Sequence, residues 1–163
     1  MKNLYPMILL FLLSISLLSC KSSEAGSSEQ KKPQFRHDGY LEIHSASGEL
    51  KATFDIEIVT KERELARGLM FRESMEPNQG MLFVFEHVDY HSFWMQNTYL
   101  SLDMLFIDQY DTIVSIAEHT TPFSEEQIYP DKLSKNVLEV LAGTAKRLNI
   151  KETDKVSWRY KED

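Results

Sequence analysis

A single cysteine, Cys20, occurs in 163 residues, which excludes an intrachain disulfide and leaves no thiol catalyst downstream of it. No Gly-rich phosphate loop and no G-x-S-x-G elbow is present, and the histidines have no obvious serine partner, so neither nucleotide binding nor Ser-His-Asp chemistry is signalled. Bases are in deficit: 18 Lys and Arg face 25 Asp and Glu, a net charge of −7. An acidic chain repels phosphate backbones and anionic lipid surfaces, which argues against nucleic acid as a partner. There is no internal repeat, and no apolar run reaches the roughly 20 residues of a membrane-spanning helix. At 42% hydrophobic and 26% charged the composition excludes a fibrous or wholly disordered chain, and the length suits one domain plus a tail.

What is there begins with an address. Lys2 supplies a positive start, Met7 to Leu18 is a nearly unbroken apolar run, and Leu17-Leu18-Ser19-Cys20 closes it. A run of about a dozen residues has the length of a signal-peptide h-region. Its ending resembles the lipobox of bacterial lipoproteins, with Cys20 at the lipidated position and the bulkier Leu18 where a small residue is common. The expectation is a signal peptide over 1–19 and acyl chains (palmitate-type) on Cys20. These would hold the protein to a membrane on the exported side, with Lys21 after the cysteine favouring an outer membrane if one exists. Without residues 1–19 the chain loses one base and no acid, so 17 bases against 25 acids leave about −8. Lys21 to Pro33 holds no large apolar side chain, so residues 20–36 read as a flexible tether.

A single β-rich domain is expected over 37–163. Leu41 and Ile43, then Leu50, Ala52, Phe54, Ile56 and Ile58, alternate with polar residues around Ser47-Gly48, the pattern of a hairpin from Tyr40 to Val59. Glu62 and Glu64 favour a helix start and Gly68 a stop, giving a helix over Lys61 to Arg67. Met81 to Phe85, Ser92 to Thr98, Leu102 to Asp108, Thr112 to Ala117, Val137 to Leu141 and Lys155 to Tyr160 read as strands. Thr120 to Lys135 reads as the longest loop, and Thr144 to Leu148 as a second short helix.

Arg67-Gly68-Leu69-Met70-Phe71-Arg72, Gly80 to Phe85, Phe93-Trp94-Met95-Gln96-Asn97-Thr98, Leu102-Asp103 with Phe106-Ile107-Asp108, and Val137-Leu138-Glu139 with Ala142-Gly143 occur in that order. Together they resemble the family called domain of unknown function 192, over about Leu41 to Trp158. The resemblance implies a compact, mainly β (α+β) fold, a β-sandwich or barrel-like domain with one or two short helices. Members are often exported or membrane-anchored, and no activity is assigned to the family. Gln96 stands where a Lys is common and Asn149 where a Gly is common.

Polar residues set in apolar runs single out a candidate ligand site of Arg67, Arg72, Trp94, Asn97, Asp103 and Glu139, an aromatic floor with a few directional groups. The alternative role for these positions is structural: Asp103 in a salt bridge and Asn97 in a turn. His87, Asp89 and His91 alternate on one strand face, but ligands two residues apart spread over about 13 Å and read better as a solvated loop. No metal or cofactor site is therefore assigned. Met70, Met75, Met81, Met95 and Met104 admit a Met/His copper-binding protein as an alternative, against plain core packing. A second alternative is an envelope glycan-acting enzyme using Asp103 and Glu139, which requires the two carboxylates about 5 to 10 Å apart in one cleft. The favoured reading is a lipid-anchored, non-catalytic binding or accessory module for a small ligand or an envelope protein.

Overall fold

The structure, a computed structural model, describes residues 33–162; the leader, Cys20 and residues 20–32 of the tether lie outside them. The elements run β1 (Gly39–His44), β2 (Leu50–Val59), α1 (Glu62–Arg67), β3 (Gln79–Asp89), β4 (Leu102–Ile107), β5 (Ile113–Ala117), β6 (Ser134–Leu141), α2 (Thr144–Arg147) and β7 (Lys155–Tyr160). The strands make one sheet in the order β5-β4-β6-β3-β2-β1-β7. Every pairing is antiparallel except β2 with β3. Parallel neighbours need a crossover, and residues 60–78, including α1, provide it.

Side-chain alternation sorts the sheet's two faces into two cores. Leu41, Ile43, Phe54, Ile56, Leu82, Leu105, Leu138 and Val140 fill one, closed by Ala145 of α2 and by Ile150. Met81, Phe83, Met95, Leu102, Met104, Phe106 and Val137 fill the other, with Leu65, Phe93 and Ile128 packed against it. All six residues of β4 are buried. That strand is covered on both sides, which is why it reads as a continuous apolar run interrupted only by Asp103. The second core is roofed by α1 and by two irregular connections, residues 90–101 and 118–133. The sheet curls far enough for its ends to touch at an isolated bridge, Thr112 to Lys155, but no ladder follows to close a barrel. The domain is mainly β, α+β and sandwich-like, and the barrel form is not realised.

Two local expectations change. Ser92 to Thr98 is not a strand: it makes one bridge, Phe93 to Ile128, and then turns at Gln96-Asn97 with Asn97 at φ 56. Its aromatic content suits a strand, but both flanks of β4 are already taken by β5 and β6. The segment instead lays Met95, 1% exposed, onto the second core. His87 and Asp89 lie on the exposed end of β3 rather than in a loop, with Asp89 paired to Ser134 beyond an irregularity in the ladder. His91 folds back and stacks on Phe85, centroids 3.7 Å apart, so the three residues do not form one ligand set.

Candidate functional site

Glu139 stands in the middle of β6, directly opposite Met81 of β3 on one side and Met104 of β4 on the other. That register turns its carboxyl into the second core, where it is 4% exposed. No hydrogen bond or ion pair reaches the side chain from the described residues, and Oε2 is sealed from solvent without a partner. Burial alone pushes its pKa up to about 8, so at neutral pH the group is mostly the uncharged acid.

Above the carboxyl lies a cavity of about 230 Å³. Leu65, Arg67 and Gly68 line it from the end of α1, Phe83 and Phe85 from β3, and Phe93 and Trp94 from the 90–101 connection. The rings hold one another: Phe93 meets Phe83 edge-on at 5.1 Å and Phe85 at 6.2 Å. Gly68 ends α1 at φ 47, ψ −134, with its N–H donating to the Glu64 carbonyl (2.9 Å). A Cβ there would stand 3.1 Å from Phe83 Cζ and 3.9 Å from Glu139 Oε2. Glycine therefore supplies both the left-handed turn and the clearance over the carboxyl.

Three of the six candidate residues meet in this cavity: Arg67 on its exposed rim, Trp94 on its wall, 42% exposed, and Glu139 beneath. Arg72 is across Gly68, lining a neighbouring cavity of about 290 Å³ with Arg36 and Glu57. There Arg72 Nη2 lies 2.6 Å from Glu57 Oε1, both side chains almost fully buried. Burial raises the Glu57 pKa, opposed by the Arg72 charge and then by Arg36. Asn97 contributes its backbone carbonyl, which accepts from the Phe71 N–H at 2.8 Å.

Asp103 is on the other side of the sheet. It pairs with Val140 while Met104 pairs with Glu139, so the two carboxyls point to opposite faces. Asp103 is fully buried and accepts hydrogen bonds from the His119 N–H (Oδ1, 3.0 Å) and the Ala145 N–H (Oδ2, 2.9 Å). It ties the 118–133 connection to the start of α2. The two-carboxylate glycan-hydrolysing arrangement is thereby overturned, because a sheet separates its members. Met81, Met95 and Met104 are each at most 3% exposed within the second core and Met75 packs against it, which accounts for these thioethers as core.

Sequence reasoning missed Gly68 as the site's saddle and Phe83, Phe85 and Phe93 as its walls. Each stands in one of the blocks that carry the family resemblance, and that was the available signal. His119, in the left-handed region at φ 54 with its ring 4.0 Å from Asp103, was missed as well and had no sequence signal.

The profile of the family DUF192, described as "Uncharacterized ACR", matches residues 42–158. A Sinorhizobium meliloti 1021 protein, named as a candidate transcription regulator, has a crystal structure similar to this chain with TM-score 0.72. It is 35% identical, the match covering 77% of this chain and 98% of that one. A protein of unknown function from Novosphingobium aromaticivorans DSM 12444 is 34% identical with TM-score 0.69, over 73% of this chain and 84% of that one. No curated protein matches. With a family profile spanning most of its length and a solved relative at this identity, the chain belongs to the DUF192 family.

Proposed function

We propose that this DUF192 domain is a non-catalytic module that binds a small ligand in the cavity over Glu139, held at the cell envelope by a lipid anchor on Cys20. One observation carries the binding role: a carboxyl with no partner among the described residues sits under an aromatic-walled cavity. A group so placed costs stability unless something pairs with it. Among the described residues the cavity is lined by no second carboxyl and no histidine to activate its hydroxyls, Ser92 and Thr98, and its only other charged residue is Arg67. The anchor rests on the apolar leader ending at Cys20. A role in transcription, suggested by the Sinorhizobium protein's name, fits poorly with a net charge of −7.

The binding role is tested by thermal-shift screening of the full-length chain and its Glu139→Leu variant against amines, sugars, peptidoglycan fragments, short fatty acids and metal ions. A compound that stabilises the wild type and not the variant is the expected result; no Glu139-dependent shift in any class would refute it. The anchor is tested by membrane fractionation of Cys20→Ala, which should release the protein to the soluble fraction. Retention in the membrane would count against lipidation.

A further inference from the structure

The binding role just proposed leaves the ligand's chemistry open, and the cavity's make-up narrows it. Its walls are aromatic on several sides, from Phe83, Phe85, Phe93 and Trp94. The outer ring is braced: Phe85 is stacked by His91 (3.7 Å, 11°), and Phe93 is wedged edge-on among Phe83, Phe85 and Phe106. Interlocked rings form a rigid π-rich enclosure, and such enclosures attract organic cations through the ring quadrupoles, by about 0.5 to 2 kcal/mol per contact.

Beneath the rings is the one feature that apolar packing does not explain. A glutamate placed centrally between Met81 and Met104, with Oε2 sealed and without a partner among the described residues, disfavours the empty state. A neutral ligand would leave that carboxyl protonated and gain one hydrogen bond. An ammonium would pair with it as a carboxylate while facing the same rings. The chain's excess of acid over base also favours a cation. Arg67 opposes it, but from the exposed rim, where solvent screens its charge. The size is restrictive: a cavity of about 150 Å³ holds a benzene, so one of about 230 Å³ takes a single ring with a short arm.

Resting on the binding role above, we infer that the cavity between α1, β3 and the 90–101 connection receives a small organic amine, its apolar ring among Phe83, Phe93 and Trp94 and its ammonium against Glu139. Binding is non-covalent and one proton changes place: Glu139 gives its proton to solvent as the ammonium arrives. The charged groups lining this cavity and its neighbour are Arg67 on the rim and, beyond Gly68, Glu57 paired with Arg72 and Arg36, and Glu64 paired with Arg36.

The test compares 2-phenylethylamine with its neutral isostere 2-phenylethanol on the full-length chain, by calorimetry in buffers of different ionisation enthalpy and by thermal shift. The amine should release close to one proton at pH 6 to 7, and its affinity should rise about tenfold per pH unit up to about pH 8 and then level off. At pH 8 it should bind at least about tenfold more tightly than the alcohol, about 1.4 kcal/mol. Glu139→Gln should remove that preference while the alcohol still binds. Equal affinity of the two at pH 8, absent proton release, or an amine preference that survives Glu139→Gln would overturn the assignment. A Glu139-dependent shift with sugars or fatty acids alone would overturn the amine and keep the binding role. No Glu139-dependent shift in any class would overturn both.

Discussion

Replacing Glu139 by glutamine should make this protein more stable, and more so as the pH rises. The folded chain holds the carboxyl at a pKa of about 8, against 4.5 for the ordinary group. Below pH 4.5 the acid is neutral in both folded and unfolded chains, and its ionisation costs the fold nothing. Between 4.5 and 8 the unfolded chain ionises while the folded one stays protonated, so folding must take up a proton. Stability then falls by about 1.4 kcal/mol per pH unit from this group. Above 8 the penalty is complete. At pH 7 it amounts to about 3 kcal/mol, a sizeable share of the 5 to 15 kcal/mol typical of a whole domain. Glutamine has nearly the same shape and no charge, so Glu139→Gln should gain about 3 kcal/mol at pH 7 and only a few tenths at pH 4. Urea unfolding of the unliganded protein at pH 4, 5.5, 7 and 8.5 measures this directly. Equal stability of the two proteins at pH 7 would refute the reasoning. So would an offset of the same size at every pH, which would report packing instead of charge.

Gly68→Ala should destabilise by about 1 to 3 kcal/mol in urea, because it forces a side chain into φ 47 and within 3.1 Å of Phe83; it should also weaken any ligand that contacts Glu139. Asp103→Ala should cost about 2 to 4 kcal/mol by orphaning the His119 and Ala145 N–H groups. It should leave cavity affinity unchanged at a temperature where the variant is folded, since the sheet lies between. Arg72→Met, which leaves the buried Glu57 carboxylate to the more distant and more exposed Arg36 at 3.8 Å, should cost about 3 kcal/mol at pH 7. Adding Glu57→Gln should recover most of that loss; a double variant no better than the single one would show that the pair is not what matters.

Much of the strand content was legible from the residues because it follows from local rules. Alternation around Gly48 announces the β1–β2 hairpin, and the unbroken apolar run Leu102–Ile107 announces a strand buried on both faces. Ser92 to Thr98 misled for a definite reason. β propensity measures how well a side chain suits a pleated, half-buried surface, and the underside of a covering loop offers the same burial without a partner strand. Trp94 and Arg67 could be proposed together from the residues, as an aromatic floor and a directional charged group, and both line the cavity over Glu139. The walls Phe83, Phe85 and Phe93 could not be, since a phenylalanine lining a cavity and one filling a core read alike.

The pairing of Asp103 and Glu139 marks the boundary between the two kinds of information. Within one strand, parity alone sets which side chains share a face, so Asp103 is grouped with Leu105 and Glu139 with Val137. Between strands that parity is meaningless until their register is known. β4 and β6 are joined through β5 and the 118–133 connection, so their pairing comes from tertiary contacts. Met104 opposite Glu139 puts the two acids on opposite sides of the sheet; a slip of one residue would have put them on the same side. The sequence by itself determined a β-rich acidic domain of the DUF192 family, an apolar N-terminal run followed by Cys20, and a glutamate in an apolar strand. Only the tertiary structure decided that this glutamate lies under an aromatic cavity with no partner among the described residues, and that Asp103 is a structural tie on the far face.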